Sequence, residues 1–540
     1  MRLRRFIGRR PSLYEHIRAH LTDDGLSEEG QTLPDEEEIA AESDTDLRWA
    51  PGALEGAFSR RASPEDDERF VADVHSALVE LADRPGGRSR ARARGAFRRA
   101  EPRTHVDAVL ERLRAYPPRN LDRLYAEVRA IAAESGRREE VKFALAVLGG
   151  FGQQEDAELL RTFARHEEFT LYAAIALANI VADPVAEWLE LARKVDGWGR
   201  IELVELLVRE PRDDTCAWLL RGGFRNNVMY GYTAQLVAEH CDLAGALERD
   251  SDPELIGGAR DILSTLAVDA WGGPAGGMLD YSDGRRATER YLEVVEPRTL
   301  DDYLVIDSLR AFLEDDLAWA GADERDELAA RLADLGWTDD VRDVLAARCR
   351  EILDSPLWRD LVQSELAHEH EELPWQAIQV GRRLGLPVRN FLLYHIERNP
   401  ADSSAWFNLV HQADDETLDA ALALAGKLYD FDDLAEGPAH ELHRDGVFEV
   451  ADWLLQELVE NPGKGWQIIR PALQSPVVRN RHFALRSLSR WPAELLTDEH
   501  RQAVARVADT DPDDEVRDEA RRVLRGEMIE PPEIHLDEAE

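Results

Sequence analysis

Val141-Lys142-Phe143-Ala144, Leu171-Tyr172-Ala173-Ala174, Ile201-Glu202-Leu203, Met229-Tyr230-Gly231 and Ile256-Gly257-Gly258-Ala259 open successive apolar segments between Val141 and Leu266. They recur roughly every 30 residues, inside the period range of helical repeat arrays. Each copy contains an apolar helix, a short break and a second helix. Such pairs bury their apolar sides only against neighbours, so the stretch predicts an all-α fold, an α-solenoid of stacked helix pairs. The helix Phe169–Ala182 is apolar around nearly its whole circumference and is expected to lie sandwiched between neighbours.

Composition sets the outer limits. The chain has 540 residues, of which 44% are apolar, enough for a substantial core. Its formal net charge is −42, from 108 acidic and 66 basic residues. That surface repels phosphate backbones at long range and disfavours nucleic acid as a general partner. Lys142, Lys194, Lys427 and Lys464 are the only lysines, so the basic charge is almost all arginine. Three scattered cysteines, Cys216, Cys241 and Cys349, suggest small core residues rather than a disulfide framework or a metal site. No apolar run reaches the roughly 18 residues of a transmembrane helix, and no signal region follows the basic start, so a cytoplasmic location is expected.

Residues 1–68 are expected to form an N-terminal helix and an acidic, largely disordered linker. Leu13, Ile17 and Leu21 share one face of that helix, which either docks on the body or makes weak contact with a membrane surface. An apolar island, Leu47–Leu54, is expected to pin the linker down. A first array covers 69–270. Its opening helix starts near Pro64, carries Phe70, Val74, Leu78 and Leu81 on one stripe, and stops at Pro85-Gly86-Gly87. The basic stretch Arg88–Arg99 has one aromatic, Phe97, where a base-stacking platform needs several. Its arginines are expected to pair with neighbouring acidic helices. Residues 271–298 form a Gly-rich junction loop, 299–526 a second, degenerate array, and 527–540 an acidic tail.

Signatures of chemistry are sparse. The glycines at 272–277 lack the Lys-Ser/Thr of a P-loop and a preceding strand. His368-Glu369-His370-Glu371-Glu372 suggests a solvated face rather than metal ligands. His440 and His443, three apart on an expected helix, lack a third ligand nearby. A di-iron site needs two Glu-x-x-His spacings, and only Glu365–His368 supplies one. No Gly-x-Ser-x-Gly elbow occurs. No cofactor or metal is expected.

The distinctive surface candidates sit where the repeats turn, just before successive second helices. They are His166 and Glu167; Trp198 and Arg200; and Phe224, Arg225, Asn226, Asn227 and Tyr230, with Tyr281 of the glycine loop approaching the same edge. At this period they line one rim of the array, and Trp, Arg, Tyr and Asn together are an interface composition. The alternative is packing between repeats, with Arg and Asn capping helix ends.

Asp511-Pro512-Asp513-Asp514-Glu515-Val516-Arg517-Asp518-Glu519-Ala520-Arg521-Arg522-Val523-Leu524 resembles the HEAT-repeat family, with Val516, Ala520, Val523 and Leu524 on one face. Asp252–Leu263 and Pro476–Leu488 resemble it in part, and Pro400–Leu409 resembles the first helix of a tetratricopeptide repeat. Arg165–Leu171, Gly197–Ile201, Gly223–Met229 and Ser475–Arg481, with Glu15–Ile17 and Leu33–Glu36, also resemble a poorly characterised bacterial family. Some members of that family carry the label limonene hydroxylase. The expected function is a non-catalytic scaffold that binds a protein partner through a curved repeat surface. The alternative is an enzyme built on the solenoid: a terpene or limonene monooxygenase, as the family label implies, or a HEAT-type DNA glycosylase.

Overall fold

Ser12 accepts the Glu15 amide at 3.4 Å and starts the helix Leu13–Ala19. Leu13 and Ile17 are fully buried there, against the helices Leu121–Glu134 and Ala157–Phe163. The apolar face is therefore docked on the body, and membrane contact through it is corrected. The computed structural model describes residues 11–36, 39, 52, 64–99, 102–274, 276–368 and 373–530. The basic start at 1–10, most of the Leu47–Leu54 island, His370 with its three glutamate neighbours, and the tail from 531 lie outside those residues.

The linker expected to be disordered from residue 22 is ordered through Glu36. Leu33 and Asp35 are buried. The Asp35 carboxylate takes the Arg138 amide at 2.8 Å and its guanidinium at 3.1 Å. Arg138 opens the helix Arg138–Gly149, so Asp35 meets both the helix's unpaired N-terminal amides and a fixed positive charge. An acidic segment otherwise poor in apolar residues folds against the body for that reason.

Among the described residues the fold is all-α, with 29 helices and no strand. Two compact units divide it: Met1–Arg298 with Asp302–Asp354, and Thr299–Asp301 with Ser355–Glu540. The glycine-rich stretch lies inside the first unit and is not a loop throughout. Met278 and Tyr281 are buried, and Gly284–Val294 is a helix burying Ala287, Tyr291 and Leu292.

In the first unit the opening helix is Pro64–Asp83, as its stripe predicts. The basic stretch forms Gly87–Phe97, which buries Phe97 against Phe143 at 4.8 Å between ring centres. Its arginines pair as expected: Arg90 with Glu127, Arg92 with Glu80, and Arg98 with Glu140. Beyond it, the helices Arg138–Gly149, Thr170–Ala178, Gly197–Arg209, Ala234–His240 and Pro253–Val268 each pack against the next. Shorter helices, among them Ala157–Phe163 and Pro184–Ala192, pack against the one that follows. Ion pairs tie neighbouring turns: Arg129 to Asp156 at 2.7 Å, Arg161 to Glu187 at 2.7 Å, Arg212 to Asp183 at 2.9 Å, and Arg221 to Asp252 at 2.6 Å. Cys216 and Cys241 form a disulfide, with Cα atoms 5.1 Å apart. The expectation of three isolated core cysteines is corrected to one bridge and one buried thiol, Cys349.

The second unit has a continuous apolar core that includes Trp406, Leu454 and Leu485. Asp513 accepts the Glu515 and Val516 amides and starts the helix Asp514–Leu524. Val516, Ala520 and Val523 are buried on one face, whereas Leu524 is exposed. Arg481 and Asp511 are both fully buried and paired at 2.9 Å. Residues 435–446 are not helical, so His440 and His443 share no helix face; His440 lies 3.6 Å from Asp513 and His443 3.0 Å from Asp445.

Candidate functional site

Three loops lead into the helices Thr170–Ala178, Gly197–Arg209 and Ala234–His240, and carry nine of the ten candidate residues or their immediate neighbours. Each loop is fastened to the one after it. The Glu167 carboxylate accepts the Trp198 amide at 2.9 Å, and the Asp196 carboxylate accepts the Asn227 amide at 3.2 Å. Both bonds span 31 residues, close to the spacing of the apolar segments in the sequence. Arg200 donates to the carbonyls of Val195 at 2.8 Å and of Gly223 and Arg225 at 3.3 Å. Arg225 in turn pairs with Asp261 at 2.6 Å.

This fastening uses up much of the rim that the sequence suggests. His166, Trp198, Phe224, Asn226 and Tyr281 are buried. Tyr281 is sealed beneath Ala244, whose amide its hydroxyl accepts at 3.2 Å. The His166 ring donates from Nε2 to the Gln31 carbonyl at 3.1 Å and accepts the Glu168 amide on Nδ1 at 3.2 Å. Both bonds together require the neutral ring, and burial pushes its pKa down to about 4.

Glu167 and Glu168 are adjacent and titrate in opposite directions. Burial alone raises the Glu168 carboxyl, but Lys142 at 2.5 Å, Arg138 at 3.8 Å and the Gly52 amide at 2.9 Å override it and pull it down to about 2. Glu167 has no cation in contact among the described residues. Burial, reinforced by the charges of Asp196 and Glu168 and opposed by the Trp198 amide, pushes it up to about 7.

Asn227, Val228 and Met229 are exposed, and Arg200, Arg225 and Tyr230 are half-buried. Asn226 holds this tip rigid: its Oδ1 accepts the Val228 and Met229 amides at 3.0 and 2.8 Å, and its amide donates to the Met229 carbonyl at 3.2 Å. Tyr230 packs edge-on against Phe224 at 5.6 Å. The apolar tip, Val228 and Met229, lies inside the sequence stretch from Phe224 to Tyr230 that carries the rim candidates.

A second feature lies on four helices of the first unit. Pro102–Ala115, Arg138–Gly149, Thr170–Ala178 and Gly197–Arg209 line a groove of about 630 Å³. Leu171, Ile175 and Leu206 contribute apolar surface, and Asp107, Arg114, Glu205 and Arg209 contribute charge. Ile175 is 48% exposed. The helix expected to be covered on every side therefore has one open face. No protein-family model matches the chain, and no curated protein is significantly similar to it.

Proposed function

We propose that the protein is a non-catalytic, HEAT-like α-solenoid scaffold that binds a protein partner across the groove of its inner helices. The observation that carries this reading is Ile175. The helix Thr170–Ala178, Thr-Leu-Tyr-Ala-Ala-Ile-Ala-Leu-Ala, has no charged residue, yet it leaves this isoleucine half in water at a concave surface. An apolar patch rimmed by both signs of charge is the composition of a protein interface. The neighbour-to-neighbour packing and the ties at repeat spacing support the solenoid. The rigid Val228–Met229 tip supplies a further contact at the loop edge.

Affinity capture from the native host, read by quantitative mass spectrometry, tests the proposal with wild type and Ile175→Glu in parallel. One protein retained in stoichiometric amount by wild type, and lost from a variant with unchanged circular dichroism and melting, is the expected result. Retention of the same proteins by both forms sinks it.

A further inference from the structure

Most arginines of the described residues pair with carboxylates, but a few, Arg165, Arg200 and Arg325 among them, bond only to backbone carbonyls. Arg200 is half-buried, bonds only to backbone carbonyls, and has no carboxylate oxygen within 4.0 Å among the described residues. Burial lowers it from the ordinary arginine value, with only the more distant Asp196 charge opposing. It lines a cleft of about 670 Å³ together with Arg193, Arg221, Arg225 and Trp218. The other three arginines are each held in place by a carboxylate: Glu190 for Arg193, Asp252 for Arg221 and Asp261 for Arg225. Arg193 and Arg200 lie over the Trp218 ring, at 5.9 and 5.6 Å from its centre.

The backbone beneath is shaped to keep this cleft open. Leu219–Gly223 is a π-like turn kinked at Gly222, an irregularity frequent at functional sites. Gly222 takes φ +122, and a Cβ there would lie 2.7 Å from the Arg225 guanidinium. A Cβ on Gly223 would lie 2.5 Å from the Trp218 indole. The volume falls in the roughly 300–1,000 Å³ range of small-ligand sites.

We infer that this cleft binds a phosphate monoester, its dianion held by Arg200 and Arg193 and its organic part resting on Trp218. A dianion supplies the charge that Arg200 lacks, and guanidinium forks match phosphate oxygens in pairs. A long polyanion meets far more repulsion from the acidic surface around it than a compact dianion does. The inference uses the cleft alone and stands whether or not the inner-helix groove binds a partner.

Isothermal titration calorimetry on the full chain, with inorganic phosphate, phenyl phosphate and a phosphotyrosine peptide, tests it. Phenyl phosphate is expected to bind at one site per chain, more tightly than inorganic phosphate. Arg193→Gln and Arg200→Gln are each expected to weaken it about tenfold, the scale of one charged hydrogen bond, with Arg161→Gln unchanged. Arg193 is exposed and its side chain bonds only to Glu190 among the described residues, so its variant keeps the test sound if Arg200→Gln misfolds. A peptide that outbinds phenyl phosphate identifies a phosphorylated chain as the source, and one that does not identifies a small molecule; both uphold the site. No binding of any probe, binding undiminished in Arg193→Gln, or displacement of phenyl phosphate by a single-stranded oligonucleotide at lower concentration overturns it.

Discussion

The Trp198 amide and the Glu167 carboxylate meet at 2.9 Å, and Gly197 between their loops takes φ +58. A Cβ on Gly197 would lie 2.0 Å from the same carboxylate oxygen. The bond and the glycine are therefore one device: the chain turns left-handed so that an acid 31 residues earlier can reach the start of the next helix.

Gly197→Ala should lower the unfolding free energy by about 2 kcal/mol, from the left-handed backbone and the collision together. Combining it with Glu167→Ala removes the collision and leaves only the backbone strain. Urea melts of the two single variants and the double variant check this, and strictly additive losses would refute the shared cause.

Glu167 also gives stability a pH dependence. Its folded pKa, about 7, lies above the ordinary carboxyl value, so its contribution is complete below about 4.5 and is lost as pH rises through 7. Glu168 and His166 are shifted down, so their contributions fade in the other direction, as the solution turns acid. Subtracting Glu167→Gln from wild type isolates the first effect. The wild type should lose stability relative to the variant between pH 5 and 8 by chemical denaturation, and parallel curves would contradict the buried carboxyl.

The Cys216–Cys241 bridge closes a separation of 25 residues. Cys216→Ser should cost about 3.5 kcal/mol, the loop-entropy figure for a closure of this size. Unfolded, unreduced protein should show one thiol to Ellman's reagent and three after reduction, because Cys349 alone is free. Three thiols before reduction, in protein taken from its native compartment, would show that the compartment is reducing and the bridge unmade.

Asp35→Asn should release the N-terminal segment. It removes a charge-assisted cap from the helix Arg138–Gly149 and the charge of one of the three carboxylates, with Glu36 and Glu168, around a nearly buried guanidinium, for about 2–3 kcal/mol. Limited proteolysis should then cut within residues 22–36 before the body is touched. An unchanged cleavage pattern would mean the segment is held by something else.

The helices of the first unit were legible because their evidence is periodic. Apolar residues at helical spacing placed Pro64–Asp83, and the acid-proline start placed Pro253–Val268 with Asp252 as its cap. What escaped depends on pairing across distance. Asp35 looks like one more acid in an acidic run until Arg138 stands opposite it. Cys216 and Cys241 look scattered until two helices bring them together. His166 and Trp198 carry interface chemistry but spend it inward, since a side chain that decorates a partner surface can equally well cement neighbouring loops. Arg200 stood in the candidate rim, yet its want of an acid is invisible in a sequence where carboxylates abound. Gly284–Val294 was hidden by the glycines just before it.

The guanidinium–carboxylate ties from Arg129 to Asp252 reach only from one turn to its neighbour. Losing any one of them should therefore loosen a single boundary between neighbouring helices and leave the other three ties in place. The cleft beside Trp218 is the exception, because its arginines come from both sides of that turn, Arg193 and Arg200 before it and Arg221 and Arg225 after it, so a disturbance on either side should be felt there.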